Sequence, residues 1–330
     1  MSWLERLWYR RSPWHVLLLP LSGVFGLLAA VRRGLFRSGI LPAHRLAVPV
    51  VVVGNISVGG TGKTPLVLWL AQFLREQGFR PGIVSRGYGG AGDAPSAVTP
   101  ESDPAQSGDE PLLLARRSAC PVWVGKDRVA AAQALLQADP QCNLILCDDG
   151  LQHYRLQRDV EIAVVDGVRG FGNGWLLPAG PLREGIGRLR TVDAVVVNGG
   201  GTIGGYVMTL EGASFRTLAE PPLTAGAADF RGMRVHAVAG IGNPQRFFAH
   251  LRGLDLDIVE HPFPDHHRYR AEELDFPGAD AVMMTEKDAV KCAAFAAANW
   301  WTLAVEARLD ATLGEKILEK LRKTDGRQTT

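Results

Sequence analysis

The segment VPVVVVG, residues 48 to 54, leads into SVGGTGKT, Ser57 to Thr64, and then into TPLVLWLAQFLREQG. No other feature limits the possible folds as strongly. A β-branched run this short predicts a buried parallel strand rather than a helix. The segment after it carries apolar residues at helical spacing, and Gly78 supplies a helix-stop signal. Strand, glycine-rich turn and helix, in that order, form the setting in which G-x-x-x-x-G-K-[ST] binds a nucleoside triphosphate. Glycines let successive backbone N–H groups converge on phosphate oxygens, and the helix N-terminus adds positive potential. The expected nucleotide-binding residues are Ser57, Gly59, Gly60, Thr61, Gly62, Lys63 and Thr64. Lys63 is expected to neutralise β/γ-phosphate charge and Thr64 to set its hydroxyl on Mg²⁺. One departure stands out: Ser57 occupies the first glycine position. The bland alternative is a glycine-rich turn without a ligand.

Further short apolar runs repeat the theme. Pro81 to Ser85, CPVWVG, NLILCDD, EIAVVDG and DAVVVNG read as strands, with helical patterns such as DRVAAAQALLQ, starting at Asp127, between several of them. This alternation predicts a mostly parallel sheet covered on both faces. Residues 91 to 107, rich in Gly, Ala, Pro, Ser and Asp, read as a surface loop. GGTIGGYVMTLEGASFRTL reads as an antiparallel ribbon or linker, and a second α/β pattern starts after Pro221 and Pro222. At 330 residues the chain suggests two domains. The expected division is a membrane-associated helical segment at 1–45, a phosphate-loop domain of P-loop NTPase type at 46–222, and a smaller α/β domain at 223–330 closing over the cleft.

An apolar content of 46% and a charged content of 21% exclude a largely disordered chain. The net charge of +2 gives no bulk argument for nucleic acid. The four cysteines show neither metal nor disulfide spacing and read as reduced, mostly buried thiols. Charge is uneven, however. Arg6, Arg10, Arg11, Arg32, Arg33, Arg37 and Arg45 stand against one acid, Glu5, and WHVLLLPLSGVFGLLAAV lies between arginine pairs. Pro20, Gly23 and Gly26 are expected to interrupt this run, which is short for a span of about 20 residues. A signal peptide is disfavoured, because the nucleotide loop that follows needs cytosolic ATP. The segment is expected to lie in the membrane interface, with Trp3, Trp8 and Trp14 near the headgroups and arginines on anionic lipid. A transmembrane helix and a helix docked on the main domain stay open as alternatives.

Phosphoryl transfer needs more than a phosphate cradle. Asp148 and Asp149, ending the apolar run of NLILCDDG, are candidates to hold Mg²⁺ together with Thr64, although DDG alone is a common turn. An acceptor hydroxyl also needs a group that orients it and takes its proton. Asp109 in SGDEP and His266 in FPDHHRY are the candidates; their bland readings are a helix N-cap and a solvated loop histidine. SRGYGG offers Arg86 and Tyr88 to phosphate or sugar, and LPAGPLREG offers Arg183 and Glu184 on a stiffened loop. TEKDAVK reads first as a capping box on Thr285, which leaves Lys287 and Lys291 on one helical face.

Taken together, VVGNISVGGTGKTP, IVSRGYGG, GDEPLLLA, LILCDDGLQH, LPAGPLRE, AGIGNPQRFF, FPDHH and TEKDAVK resemble the tetraacyldisaccharide 4′-kinases, the lipid A 4′-kinase family. The resemblance implies two α/β domains around a cleft and a membrane-associated N-terminal helix. It implies transfer of the ATP γ-phosphate, with Mg²⁺, to the 4′-hydroxyl of a tetraacylated disaccharide 1-phosphate, giving lipid IVA. The expected partners are that acylated glucosamine disaccharide and a membrane surface, with no nucleic acid. The expected place is the cytoplasmic face of the bacterial inner membrane, reached peripherally or monotopically. Carried over by motif, Asp109 is the catalytic aspartate and His266, rather than His267, assists it. Asp148 and Asp149 match metal-site carboxylates, and Arg86, Arg128, Arg183 and Glu184 match nucleotide- or substrate-cleft residues. Gly185 departs from the family pattern, where proline is expected after LRE.

Two other classes compete. A membrane-associated ATPase switch of the deviant phosphate-loop type would carry its signature lysine at position 58, which here is Val58. A soluble small-molecule kinase or ligase would not need the arginine-flanked apolar N-terminus.

Overall fold

The structure is a computed structural model that describes residues 7–9, 14–87, 94–219 and 221–325. Trp3, Arg6, Arg10, Arg11 and Tyr88 lie outside the described residues. Seven parallel strands build the first sheet: β1 (Val50–Gly54), β2 (Pro81–Ser85), β4 (Val122–Val124), β5 (Leu144–Asp148), β6 (Val160–Asp166), β7 (Ala194–Asn198) and β8 (Tyr206–Glu211). β3 (Ser96–Val98) and β15 (Glu306–Leu309) run antiparallel at its two edges, in the order β15-β8-β7-β6-β1-β5-β2-β4-β3. Short β3 falls inside the stretch expected to be loop throughout.

Every residue of β1 is buried, and its neighbours face opposite ways. Val51 and Val53 join one core with Leu66, Leu70 and Leu74 of helix α2 (Lys63–Glu76). Val50 and Val52 join another with Ala132 and Leu135 of a helix at Arg128–Ala138. A strand apolar at every position requires helices on both faces, as here. Gly78 closes α2 in the left-handed conformation (φ +85°), with Gly78 N–H on Arg75 O and Phe79 N–H on Leu74 O, both at 3.0 Å.

The second sheet holds β9 (Ser214–Thr217), β10 (Thr224–Gly226), β11 (Val235–Ala239), β12 (Ile258–Pro262), β13 (Ala281–Thr285) and β14 (Trp300–Leu303), in the order β10-β9-β14-β13-β11-β12. The chain is thus built as two lobes, one around each sheet, and it passes from the first to the second between β8 and β9 rather than at the expected 222–223. Pro221 and Pro222 fall in the turn between β9 and β10, and β9 already pairs with β14. The two prolines thus belong to a hairpin turn inside the second sheet, not to the start of the second α/β pattern. Past β14 the chain returns: β15 pairs with β8, and a last helix, Ala311–Asp325, buries Leu313, Ile317 and Leu321 in the first core. The segment expected as a ribbon or linker is thus two strands in different sheets. They join at Gly212, where a Cβ would collide with Ala304 O of the returning chain.

Helix α1 (His15–Arg37) runs unbroken through Pro20, Gly23 and Gly26, so the expected interruptions are absent. Its 23 residues reach about 35 Å, and by length and composition it could cross a membrane. One edge is docked. The Ser22 hydroxyl donates to Leu176 O (2.7 Å) and accepts from Ala179 N–H (3.0 Å), and Gly26 leaves room for Leu176. Arg32 donates to Gln152 O at 3.2 Å and Arg33 to Thr191 Oγ1 at 3.0 Å. Leu17, Leu21, Val24, Leu28 and Val31 remain exposed along the outer side. Trp14 is exposed, whereas Trp8 is buried and donates to Pro178 O at 2.9 Å, away from the headgroup position expected for it.

Candidate active site

Parallel strands collect their loops at the carboxyl edge of a sheet, where ligands of open α/β folds bind. The loop after β1 is shaped by two buried amides. Asn55 Nδ2 donates to Gly59 O (3.4 Å) and Thr61 Oγ1 (3.3 Å), and Asn198 Nδ2, at the end of β7, donates to Thr61 O (3.0 Å). Gly62 begins α2 at φ +96°, where a side chain would also run into Asn198. Ser57 has no positive φ, so serine costs nothing at the first glycine position. It bridges to Leu182 while Val58 N–H donates to Pro181 O at 2.8 Å, tying the loop to LPAGPLRE.

Lys63 opens α2 with its ammonium 3.5 Å from Asp149 Oδ1, and Arg183 Nη1 lies 3.4 Å from both oxygens of the same carboxylate. Burial raises the Asp149 pKa, but Lys63 and Arg183 outweigh it and hold the group below the ordinary carboxylate range. Asp148, fully buried at the end of β5, behaves oppositely. Burial, then the charges of Glu110 and Asp149, push its pKa up to about 7 against the pull of Lys63. Its Oδ2 accepts from Ser85 Oγ at 3.2 Å, while Oδ1 has no hydrogen-bond partner among the described residues. A buried carboxylate oxygen without a partner costs stability unless a ligand engages it.

Asp109 is the first residue of helix α3 (Asp109–Ser118), with Gly108 at the cap position, so the N-cap reading does not hold. His266 reaches it from the second lobe, its Nδ1 3.2 Å from Oδ1 and 3.1 Å from Oδ2. His267 points elsewhere, 3.3 Å from Glu273. Burial raises the Asp109 pKa, but the His266 hydrogen bond, Lys287 and Lys291 together lower it. That same hydrogen bond raises the His266 pKa over the opposing effects of burial and Lys287. Helix α4 (Glu286–Cys292), begun by the expected Thr285 cap at 3.2 Å from Asp288 N, brings Lys287 to Glu110 at 2.9 Å.

The two lobes meet across a cleft of ≈ 510 Å³ lined by Lys63, Thr64, Glu110, Asn198, Arg246 and Lys287, among others. A clasp closes one side. Gly242 packs on Gly60, and Arg246 Nη2 donates to Asp166 Oδ1 at 2.8 Å beside Asn243 at 3.3 Å. Two expected cleft residues sit otherwise. Arg128 is buried beneath Asp149, donating to its carbonyl at 3.4 Å. Glu184 accepts from Gln152 Nε2 (2.8 Å) and Tyr154, with Arg188 at 3.6 Å and Arg33 at 4.0 Å. Arg183 beside it reaches Asp149, so the two neighbouring side chains serve different partners. Arg86 is exposed just past the end of β2. Asp166, Asn198 and Glu110 were missed as site residues. EIAVVDG and DAVVVNG end in a polar residue just as LILCDDG does, which was the available signal.

Comparison with known proteins places this arrangement. The family described as tetraacyldisaccharide-1-P 4′-kinase matches residues 14–322. A tetraacyldisaccharide 4′-kinase of Aromatoleum aromaticum is 58% identical, covering 98% of this chain and 97% of its own. That of Methylobacillus flagellatus is 53% identical, over 97% of this chain and 96% of its own. A crystal structure of LpxK from Aquifex aeolicus in complex with ATP superposes with a TM-score of 0.78 at 28% identity, covering 93% of this chain and 99% of that one.

Proposed function

The chain belongs to the tetraacyldisaccharide-1-P 4′-kinase family, and from that premise we propose that it moves the γ-phosphoryl group of ATP to the 4′-hydroxyl of a tetraacyldisaccharide 1-phosphate at a membrane surface. It is a kinase of lipid A biosynthesis. The observation that carries the mechanism is the Asp109–His266 pair, assembled from two lobes beside a phosphate-loop cleft.

Lys63 and the N-terminus of α2 offset phosphate charge and hold the nucleotide in the cleft. Thr64, Asp148 and Asp149 are suited to hold Mg²⁺, directly or through water, and the unpartnered Asp148 Oδ1 supports that reading. A Mg²⁺ held by these residues would supply charge neutralisation to the phosphates. Asp109, ionised at neutral pH, accepts the hydroxyl proton as the sugar oxygen bonds to the γ-phosphorus and the bond to the ADP oxygen breaks. His266 orients the carboxylate and stabilises its charge. The exposed face of α1 rests in the bilayer interface, with the docked edge holding the catalytic lobe against the surface where the sugar head lies. ATP availability puts this at the cytoplasmic face.

The test is Asp109→Asn, assayed by mass spectrometry of an acylated disaccharide 1-phosphate incubated with ATP and Mg²⁺. ATP affinity should persist while transfer falls by about 10²- to 10⁴-fold. Parental turnover would remove Asp109 from the chemistry.

A further inference from the structure

Lys287 and Lys291 stand one turn apart on α4, which packs against α3. Lys287 Nζ lies 2.9 Å from Glu110 Oε1, 3.1 Å from Asp265 Oδ1 and 3.9 Å from Asp109 Oδ2. One ammonium therefore serves three carboxylates drawn from both lobes. Asp265 in turn accepts the backbone N–H of His266 at 3.1 Å. His266 sits at φ +60°, in the left-handed region that a histidine seldom takes without outside support.

We infer that Lys287 is a positioning residue for phosphoryl transfer: its ammonium fixes Asp265, which seats the His266 backbone, and holds Asp109 facing that imidazole across the lobe boundary. The inference rests on the reading of Asp109 as proton acceptor.

Lys291 does not duplicate this role. Its Nζ is 2.8 Å from Asp288 Oδ1 and 4.9 Å from the Tyr269 ring centre, with Asp109 only at 4.0 Å. Asp288 itself is buried and accepts from Gly240 N–H (3.0 Å) and Tyr269 Oη (3.0 Å), so Lys291 belongs to a cluster inside the second lobe. The charged groups facing Asp109 are thus His266, Lys287, Lys291 and the neighbouring Glu110. Of the two lysines, Lys287 is the one that also reaches Asp265. Burial opposes its charge, but Glu110, Asp109 and Asp265 outweigh that and keep it an ammonium across the working pH range. Without it, Asp109, Glu110 and Asp265 would be like charges crowded at one seam. Lys287 and Asp265 also act on His266 with opposite signs, the lysine disfavouring imidazolium and the aspartate favouring it.

That opposition gives a test that mere loss of packing cannot imitate. The full chain is compared with Lys287→Met, Lys287→Arg, Asp265→Asn and Asp109→Asn. The readouts are the His266 ring titration by NMR, the pH profile of kcat, and ATP affinity. Lys287→Met should raise the His266 midpoint by about half to one pH unit, move the acidic limb of kcat upward, and lower kcat about tenfold to a hundredfold, with ATP affinity within about twofold. Lys287→Arg should recover most of kcat. Asp265→Asn should move the His266 midpoint down. A parental midpoint and parental kcat in Lys287→Met overturn the inference, as does a His266 shift of the same sign in both variants. If Lys287→Met does not fold, Asp265→Asn decides alone, because its carboxylate is one-third exposed and its loss leaves the core intact. An active Asp109→Asn would instead sink the reading of Asp109, whatever Lys287 does.

Discussion

Asp148 carries its carboxylate in a place that penalises the charge, and the size of that penalty can be read from pH. Its pKa of about 7 in the folded chain compares with an ordinary value of 3.8. Between those limits the folded protein holds a proton that the unfolded chain has lost. Stability therefore falls as pH rises from about 4 to about 7 and stays low above. At about 1.4 kcal/mol per decade, the full cost at pH 8 is of order 4 kcal/mol. Asp148→Asn removes the charge and keeps an oxygen to accept from Ser85. The new amide N–H, with no acceptor assured, returns about 1–2 kcal/mol of that gain. Without nucleotide or Mg²⁺, the variant should be more stable than the parent by about 2–3 kcal/mol at pH 8 and no more stable at pH 5. Urea denaturation followed by tryptophan fluorescence at both pH values measures this. The same variant should lose at least about 10² in kcat. A gain equal at the two pH values, or a loss at pH 8, would refute the electrostatic reasoning.

Other outcomes follow from particular contacts. Gly242→Ala should push a Cβ into the Gly60 backbone and raise KM for ATP about tenfold, read from initial rates. Arg246→Met leaves the buried Asp166 carboxylate short of its cation and should cost about 2–3 kcal/mol of lobe docking, seen as faster limited proteolysis between the lobes. The double variant Leu21→Glu, Leu28→Glu, on the exposed side of α1, should cut co-sedimentation with anionic vesicles at least tenfold and leave ATP affinity unchanged.

Local chemistry was legible in the sequence where one short segment determined it. The strand at Pro81–Ser85, the Asp127 cap (3.0 Å to Val129 N), the Gly78 stop and the Thr285 cap all depend on neighbours within a few residues. The phosphate loop belongs to the same class, since strand, glycines and helix are contiguous. What escaped was long-range. Nothing near Glu306 signals that β15 leaves one sheet for the other, because strand pairing is chosen by the partner edge. Pro221 and Pro222 look alike in a linker and in a hairpin turn. Glu184 follows Arg183 in a motif, yet one backbone step sends its carboxylate to the Arg188 side. The resemblance singled out Asp109 and His266 across 157 positions of chain, whereas the residues alone offered each as a candidate beside a bland reading, a helix N-cap and a solvated loop histidine.

The chain enters the second sheet after Glu211 and leaves it before Glu306, and these two residues are register partners. Topologically, the lobe that contributes His266 and Lys287 is a long excursion from the tip of one hairpin. A two-residue turn spliced between those glutamates would close β8 onto β15 directly. Such a miniature should retain the sheet and the anion cradle while losing the histidine half of the site, which makes the kinase divisible by a single cut-and-join in its gene.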